Sequence, residues 1–283
     1  MQYYDRRTKS VVDEIEYQKD ILNFLYKKKL GRILLKVFVA RPWFSKLMGL
    51  YRKSRLSKKN IIPFIEKYKV KVSRKELTSF KTFNDFFIRE KRKPKNKDKN
   101  DLVAIADGKL SVYNIDDDLR LNIKQSSYSI DEIVENKKIA DMFRGGTCLV
   151  YRLAVSDNHR YNFIDDGKTA FVKKIKGMLH TIRPISAEYN VYSRNSRVVT
   201  LLNTRHLGYV CYVEVGALLV GKIHNHKKVS FKKNDEKGYF EFGGSTIVVL
   251  LNKDIIIDDD IVKMNANDLE VQVYAGERIG SIC

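Results

Sequence analysis

The chain has 283 residues, 43% of them hydrophobic, which is enough to bury the core of one large domain or of a main domain with an appendage. Its three cysteines, Cys148, Cys211 and Cys283, are widely spaced without a CxxC pattern, which argues against a disulfide framework or a cysteine zinc cluster. The net charge of +20 lies almost wholly in residues 1–100, which hold 29 Lys and Arg against 10 Asp and Glu. No apolar run approaches the roughly 20 residues that span a bilayer, and no signal-peptide core is present, so we expect a cytoplasmic protein.

Residues 11–80 are predicted to be helical, because apolar residues recur at three and four spacing in "VVDEIEYQKDILNFLY". Residues 21–60 carry 12 basic and no acidic side chains, interleaved with apolar residues that include Trp43 and Phe44. This composition favours contact with an anionic membrane surface, where Trp and Phe lie at the headgroup level. Two alternatives remain open: a solvated helix face over an ordinary core, and nucleic-acid binding, although no recognised nucleic-acid-binding motif is present.

The stretch 91–101, "KRKPKNKDKND", has no apolar residue and an internal proline, which predicts an exposed connection. Beyond it the chain consists of short β-branched and aromatic runs, such as "TCLVYRLAV", "RVVTLLN", "STIVVLL", "DIIIDDDIV" and "EVQVY". These runs predict a mixed or antiparallel barrel or sandwich. We therefore predict an α+β chain, with a basic helical region at 1–95 that contacts the membrane and a β-rich catalytic domain at 96–283.

Two adjacent glycines, Gly243 and Gly244, precede Ser245 between the strand-like runs "YFEF" and "STIVVLL". One interpretation is a hairpin turn, since glycine supplies the positive φ angles of a two-residue connection. The other is chemical, because the Ser245 hydroxyl can attack a strained Gly244 carbonyl and convert the amide to an ester. Elimination would then break the chain, and hydrolysis would leave a pyruvoyl group at the new N-terminus.

Several motifs together resemble the phosphatidylserine decarboxylases nearly from end to end: "FNDFFIREKRKP", "ADGKL", "RLAVSDNHRYNFIDDG", "RPISAEYNV", "NTRHLGYVCYVEVGALLVGKI" and "DEKGYFEFGGST". In that family Gly-Ser is the self-cleavage bond. The resemblance implies cleavage between Gly244 and Ser245 into a β chain, residues 1–244, and an α chain, residues 245–283. It also implies a covalent pyruvoyl cofactor derived from Ser245, which forms a Schiff base with an amine substrate.

The activity implied by the resemblance is decarboxylation of phosphatidylserine to phosphatidylethanolamine. We accordingly expect a peripheral enzyme on the cytoplasmic side of the cell membrane, with a phospholipid substrate, an anionic membrane surface as partner and no nucleic acid. The family also suggests a homodimer. The two chains of the cleaved protein should stay together through sheet pairing and core burial, because the apolar strand "TIVVLL" of the α chain would otherwise be exposed to water.

The resemblance assigns further roles to Asp107, in self-cleavage, and to His159, in decarboxylation by action on the substrate carboxylate or by protonation of the carbanion. By position alone, Asp107 could equally be a turn residue and His159 an ordinary loop histidine. The family commonly has a second histidine where this chain has Asn162, which cannot take a proton from Ser245. Three explanations are open: His159 or His180 supplies the base, cleavage is slow and driven by strain, or the protein does not mature unaided.

Other polar residues carry weaker signals. His224 and His226 form an HxH pair without a third ligand, so we assign no metal. Arg152 and Arg160 could orient a phosphate or carboxylate, or could serve as ion-pair partners. Two rival functions stay open: a non-catalytic homologue that acts as a lipid-binding or partner subunit, and the same chemistry on another headgroup or a soluble amine acid.

Overall fold

The structure is a computed structural model that describes residues 1–90, 93–96, 98–123, 126–218, 222–243, 245–252 and 254–282. Its α-helices are α1 (Lys19–Lys27), α2 (Lys29–Leu34), α3 (Pro42–Lys53), α4 (Ile61–Tyr68), α5 (Arg74–Ser79), α6 (Phe83–Phe87), α7 (Ile130–Val134), α8 (Lys137–Asp141), α9 (Val191–Arg194) and α10 (Asp259–Ala266). A π-helical turn (Leu35–Val39) follows α2, and 3₁₀ turns occur at Arg55–Asn60 and Pro184–Tyr189.

The described strands are β1 (Gln2–Asp5), β2 (Ser10–Asp13), β3 (Asp101–Val103), β4 (Gly108–Asn114), β5 (Arg120–Ile123), β6 (Ser126–Ser129), β7 (Thr147–Leu153), β8 (Arg160–Asn162), β9 (Gly167–Ile175), β10 (Arg197–Thr204), β11 (Tyr209–Val215), β12 (Ile223–Asn225), β13 (Ser230–Phe231), β14 (Glu236–Phe240), β15 (Ser245–Leu251), β16 (Ile255–Ile257), β17 (Glu270–Val273) and β18 (Arg278–Ile282). Ten of them form the main sheet in the order β13-β9-β10-β11-β15-β7-β4-β17-β1-β2. The α+β class is confirmed, although this sheet runs from one edge strand to another and does not close as a barrel.

The main sheet is buried on both faces at its centre. Along β15, Ile247 and Val249 join one apolar cluster, whereas Val248 and Leu250 join another. This alternation is what a strand with period-two side chains produces when both faces are covered. Strand β15 also pairs with β11 on one side and with β7 on the other, so its position is fixed in all directions.

Two predictions of local structure were wrong. Residues 11–18 were predicted to begin a helix, but Val11 and Val12 lie in β2, which pairs with β1 at the edge of the main sheet, and the first helix begins at Lys19. Pairing of β2 with β1, which is itself held on the main sheet by β17, overrides the helical spacing there. The run "DIIIDDDIV" is a strand only as far as Ile257, because the aspartates that follow open α10, where a helix N-terminus favours negative charge.

The helical N-terminal region packs against the β-rich part. Aromatic residues of α4 and α6 form one apolar cluster that includes Phe242, and Tyr26 of α1 contacts Tyr189 at a centroid distance of 5.6 Å. The predicted connection also contacts the body of the protein, since Lys93 Nζ lies 2.6 Å from Asp235 Oδ1. Because the two regions contact each other, the domain boundary between residues 95 and 96 remains a prediction. Across the part of the chain that is described, no helix has the length and apolar character needed to cross a membrane.

Candidate active site

The segment that carries the Gly-Gly-Ser sequence joins two different sheets. Strand β14, before it, pairs with β12 and β8 in a three-stranded sheet, whereas β15, after it, lies in the centre of the main sheet. The hairpin interpretation is therefore wrong, because β14 and β15 are not partners. Gly243 has a φ of 139°, which strongly favours glycine. Gly244, on which the predicted scissile bond depends, lies outside the described residues.

Ser245 is the first residue of β15, opposite Leu153 of β7. Its side chain is fully buried, and its Oγ has no hydrogen-bond partner among the described residues. A buried hydroxyl without a partner is costly, by about 1–3 kcal/mol, so native proteins rarely keep one without a reason.

His159 lies beside the same segment and is also fully buried. Its carbonyl accepts a hydrogen bond from the Phe240 amide at 3.0 Å. Leu153 opposes Ser245, so the segments that carry His159 and Ser245 contact each other at two points. Ser245 lies at one of these contacts and His159 at the other.

The protonation state of His159 follows from its contacts. Its Nδ1 lies 3.0 Å from the Asp157 carbonyl oxygen, which can only accept, so Nδ1 carries the hydrogen. The other nitrogen, Nε2, therefore presents a lone pair and has no partner among the described residues. Burial lowers the pKa of His159 to about 4, against the opposing charge of Asp157, so the ring is neutral near pH 7.

Two phenylalanines that the sequence motifs did not single out pack near His159: Phe87 lies against its ring, and Phe242 packs on Phe87. The Phe87 ring lies 4.2 Å from the His159 ring and 5.0 Å from the Phe242 ring, measured between centroids. Phe87 lies in the motif "FNDFFIREKRKP" and Phe242 in "DEKGYFEFGGST". Their place in these two motifs is the feature of the sequence that could have pointed to them. The Phe87 ring covers one face of the buried His159 ring, and this burial lowers the pKa of His159.

Asp107 approaches the same region from β4. Ala106 bridges to Tyr161, and Lys109 opposes Arg152, so Asp107 lies alongside the segment 153–161. Its Oδ1 accepts a hydrogen bond from the Ala275 amide at 3.1 Å. Asp107 and Asn162 line one cavity of about 770 Å³. The structure thus places Asn162, the residue that departs from the family pattern, in the same cavity as the aspartate.

His180 is the other histidine considered as a base, and its surroundings differ from those of His159. Its Nδ1 lies 3.3 Å from the Tyr26 hydroxyl, and its ring stacks on Tyr189 at 4.3 Å. Burial lowers its pKa to about 4. The neighbouring Thr181 lines a small cavity with Gly243, so the segment after His180 borders the reactive segment.

The two candidate substrate-binding arginines already have carboxylate partners. Arg152 bonds Glu270 at 2.8 Å through Nε and Glu14 at 3.0 Å through Nη2, and these charges raise its pKa. Arg160 bonds Glu236 at 2.8 Å and lines the 770 Å³ cavity. Both contacts match the ion-pair alternative, and a role in substrate binding stays a prediction.

The histidines of the HxH pair also bond carboxylates. The Nε2 atoms of His224 and His226 lie 2.6 Å from oxygens of Glu241 and Glu236, respectively. Among the described residues, no group of three His, Cys, Asp or Glu side chains is arranged to hold a metal ion. Cys148 and Cys211 are buried free thiols, whereas Cys283 lies outside the described ranges.

The two residues predicted to contact a membrane differ in exposure. Trp43 is 52% exposed, whereas Phe44 is partly buried. The centroids of the two rings lie 6.0 Å apart. Other large apolar side chains of the N-terminal helical region are exposed with Trp43: Ile21, Phe24, Leu30, Ile33, Val37, Phe38, Leu47 and Leu50.

A serine buried without a polar partner at the start of a central strand, and a buried neutral histidine, are groups of the kind found in enzyme active sites. Comparison with known proteins specifies the class. A model of the family "Phosphatidylserine decarboxylase" matches residues 83–281. The chain belongs to the phosphatidylserine decarboxylase family, as its motifs predicted, and is a carboxy-lyase.

Relatives match over nearly the whole chain. A phosphatidylserine decarboxylase proenzyme 2 of Clostridium acetobutylicum is 46% identical over 282 residues, which cover 98% of this chain and 97% of that protein. Phosphatidylserine decarboxylase proenzymes of Clostridium perfringens and Clostridium botulinum are each 38% identical, with 98% and 99% of both chains covered, respectively.

Proposed function

We propose that the chain cleaves itself between Gly244 and Ser245 and then decarboxylates phosphatidylserine to phosphatidylethanolamine. One observation carries the proposal: the Ser245 hydroxyl, a donor, and His159 Nε2, an acceptor, are both fully buried without a partner among the described residues. They belong to two segments that contact each other at two points. A donor and an acceptor that both lack partners suit a proton transfer better than a purely structural role.

The residues present fit a pyruvoyl group at position 245. The Ser245 side chain occupies a buried place without polar partners, and β15 is hydrogen-bonded on both sides. The new N-terminus would therefore stay in place after the chain is cut. A pyruvoyl carbonyl supplies an electron sink, through a Schiff base with the substrate amine, that accepts the electrons released with CO₂.

His159 would move the proton. Its neutral Nε2 can accept the hydroxyl proton of Ser245 during self-cleavage, and Nδ1 stays fixed on the Asp157 carbonyl. In turnover the same atom would take a proton from the substrate ammonium group and return it to the carbon that loses CO₂. Of the two histidines considered, only His159 has a buried nitrogen without a partner among the described residues, which favours it as the processing base. Asp107 would assist self-cleavage from the adjoining cavity.

The direct test is the intact mass of the purified protein under denaturing conditions, together with CO₂ release from phosphatidylserine vesicles. We expect two fragments, residues 1–244 and 245–283, the smaller blocked to Edman chemistry. Free serine and other headgroups serve as comparison substrates. A single 33.0 kDa chain that releases no CO₂ would instead support the non-catalytic, lipid-binding alternative, which Asn162 favours.

Restoring a histidine at position 162 should accelerate self-cleavage. Asn162 shares a cavity with Asp107, so a histidine there could pair with that carboxylate and act as a second base. We expect Asn162→His to shorten the cleavage half-time by about tenfold or more, since a positioned base contributes 10²–10⁴-fold. Fragment formation after in vitro translation measures it.

Asn162→Gln is the matched control, because it preserves the amide and adds bulk without a base. Equal cleavage rates for Asn162→His and the unmodified chain would show that this position no longer limits processing.

The proposal also includes a peripheral position on the cytoplasmic membrane surface and a homodimer. The exposed apolar side chains of residues 21–60 stand among 12 basic residues with no acidic ones, a combination that suits anionic lipid. The substrate would thereby stay in the bilayer while its headgroup is processed.

The membrane contact can be tested with Trp43→Ser and Leu47→Ser together. Both side chains are more than half exposed, at 52% and 56%, so their loss should leave the fold intact. Binding to phosphatidylserine vesicles should weaken roughly tenfold or more, from the apolar area no longer buried in lipid. Cosedimentation measures binding, and self-cleavage should not change.

Val229→Ser, at a residue that is 77% exposed outside the helical region, controls for loss of any surface apolar group. Unchanged vesicle binding by the double variant would refute the membrane role of these helices. Phe44→Ser is less suited, because Phe44 is partly buried.

A further inference from the structure

Helix α3 ends in two basic residues that contact the segment immediately before the predicted cleavage site. Lys53 Nζ lies 2.8 Å from Glu241 Oε1. The same oxygen lies 2.6 Å from His224 Nε2, so Glu241 is held from two sides. The Arg52 guanidinium lies 4.4 Å from the centroid of the Phe242 ring, within the range of a cation–π contact. Two consecutive residues of α3 thus hold two consecutive residues of the reactive segment.

These contacts are shielded from water on the side of the reactive segment. Glu241 and Phe242 are 6% and 3% exposed, and Arg52 also lies 4.6 Å from the Phe83 centroid. Ion pairs and cation–π contacts are stronger when the groups are desolvated. Arg52 is partly buried, so its contact with Phe242 is stronger than a surface contact would be. The Lys53 ion pair is shielded only at Glu241, because Lys53 itself is 48% exposed.

The contacts continue to the candidate catalytic histidine. Phe242 packs on Phe87, which packs on His159, at centroid distances of 5.0 and 4.2 Å. A displacement of Phe242 would remove packing from Phe87, the ring that lies against His159. Phe242, three places before Ser245 in the chain, is thus connected to His159 through one intervening ring.

Self-cleavage changes what holds this segment. In the uncut chain, peptide bonds tie residues 241–243 to the central strand β15. After a cut at residue 244 they become the free C-terminal end of the β chain. Free termini fray unless side-chain contacts restrain them.

We propose that Arg52 and Lys53 are positioning residues that hold the cut end of the β chain and so keep His159 in place during turnover. The inference rests on the proposed function, because it requires cleavage at Ser245. Since α3 also exposes Trp43, Leu47 and Leu50, the same helix would connect the membrane surface to the active site.

The double variant Arg52→Gln/Lys53→Gln separates this role from general stability. Before the cut, the peptide bond holds the segment, so self-cleavage should keep its rate within about twofold. After the cut, kcat should fall about tenfold, as expected for a small misplacement of a catalytic group. The substrate is monomeric short-chain phosphatidylserine, so that the measured rate does not depend on membrane binding. KM for this substrate should stay unchanged.

Two further variants complete the test. Arg52→Lys/Lys53→Arg keeps both cations and should restore most of the activity. Lys263→Gln removes an exposed lysine from the last turn of α10, which packs on β17 and β4 rather than on the reactive segment, and should behave like the unmodified protein. Amide hydrogen exchange in residues 241–243 of the cleaved protein should accelerate only in the Gln double variant.

The outcomes distinguish this inference from the proposed function. An active parent protein with a fully active Gln double variant would refute the positioning role alone, as would equal losses of cleavage and turnover. A parent protein that stays whole and inactive would refute the proposed function, and the positioning role with it.

Discussion

Replacing Ser245 with alanine is expected to leave one uncleaved chain of 33.0 kDa and to remove decarboxylase activity. The variant lacks the hydroxyl that would attack the Gly244 carbonyl, and without cleavage no reactive carbonyl forms at position 245. Loss of a nucleophile that is also the source of the cofactor should cost roughly 10⁴-fold or more in kcat. Denaturing mass spectrometry and CO₂ release measure the two effects.

Thr246 offers a matched control one residue further along β15. Its Oγ1 is likewise buried without a partner among the described residues, so Thr246→Val removes a comparable hydroxyl with little change of shape. The valine variant should still yield two fragments. Cleavage of the Ser245→Ala chain would contradict the assignment of the scissile bond.

Replacing His159 with glutamine is expected to lower kcat by about 10²–10⁴-fold, the usual contribution of a positioned acid–base group. Glutamine is similar in reach but cannot exchange a proton at neutral pH. If His159 is also the processing base, self-cleavage of this variant slows in parallel. Single-turnover CO₂ release by protein that has already been cleaved separates the two steps.

The pH dependence follows from the pKa of His159, which burial lowers to about 4. The groups that act on it are Asp157, which raises the pKa, and Arg89 and Lys109, which lower it. Self-cleavage requires the neutral ring as a base, so its rate should hold as the pH falls through 6.5 and decline only near 4. A decline centred near 6.5 would show that water reaches the ring.

His206→Gln is the control for these measurements. His206 Nδ1 bonds Asp165 at 2.8 Å at the turn between β10 and β11, away from the segments that carry Ser245 and His159. Its replacement should leave turnover and the pH profile unchanged.

The sequence was sufficient for the family, the order of the regions and most strands of the β-rich part. Motifs such as "DEKGYFEFGGST" are local, so they can be read without knowing what they contact. Short runs of β-branched and other apolar residues likewise predict strands. Burial on both faces requires apolar side chains along most of β7, β10, β11 and β15.

Only the tertiary structure decided how those local elements combine. From the sequence alone, a Gly-Gly pair between two strands suits a hairpin as well as a cleavage site. The hairpin is excluded because β14 pairs with β8 and β12, whereas β15 pairs with β7 and β11. Residues 11–13 were predicted to be helical for the same reason: they pair with β1, and β1 is placed on the main sheet by β17, more than 250 residues away in the chain.

What the sequence by itself determined is the chemistry that is available: a serine after two glycines, a DxHR histidine, an ADG aspartate and a basic, apolar N-terminal region. What only the tertiary structure decided is the state of those groups. Burial makes His159 neutral, a backbone carbonyl fixes its tautomer, and α3 reaches across the fold to Glu241 and Phe242. Solvent exclusion and contacts between residues far apart in the chain set these properties, and no local pattern encodes them.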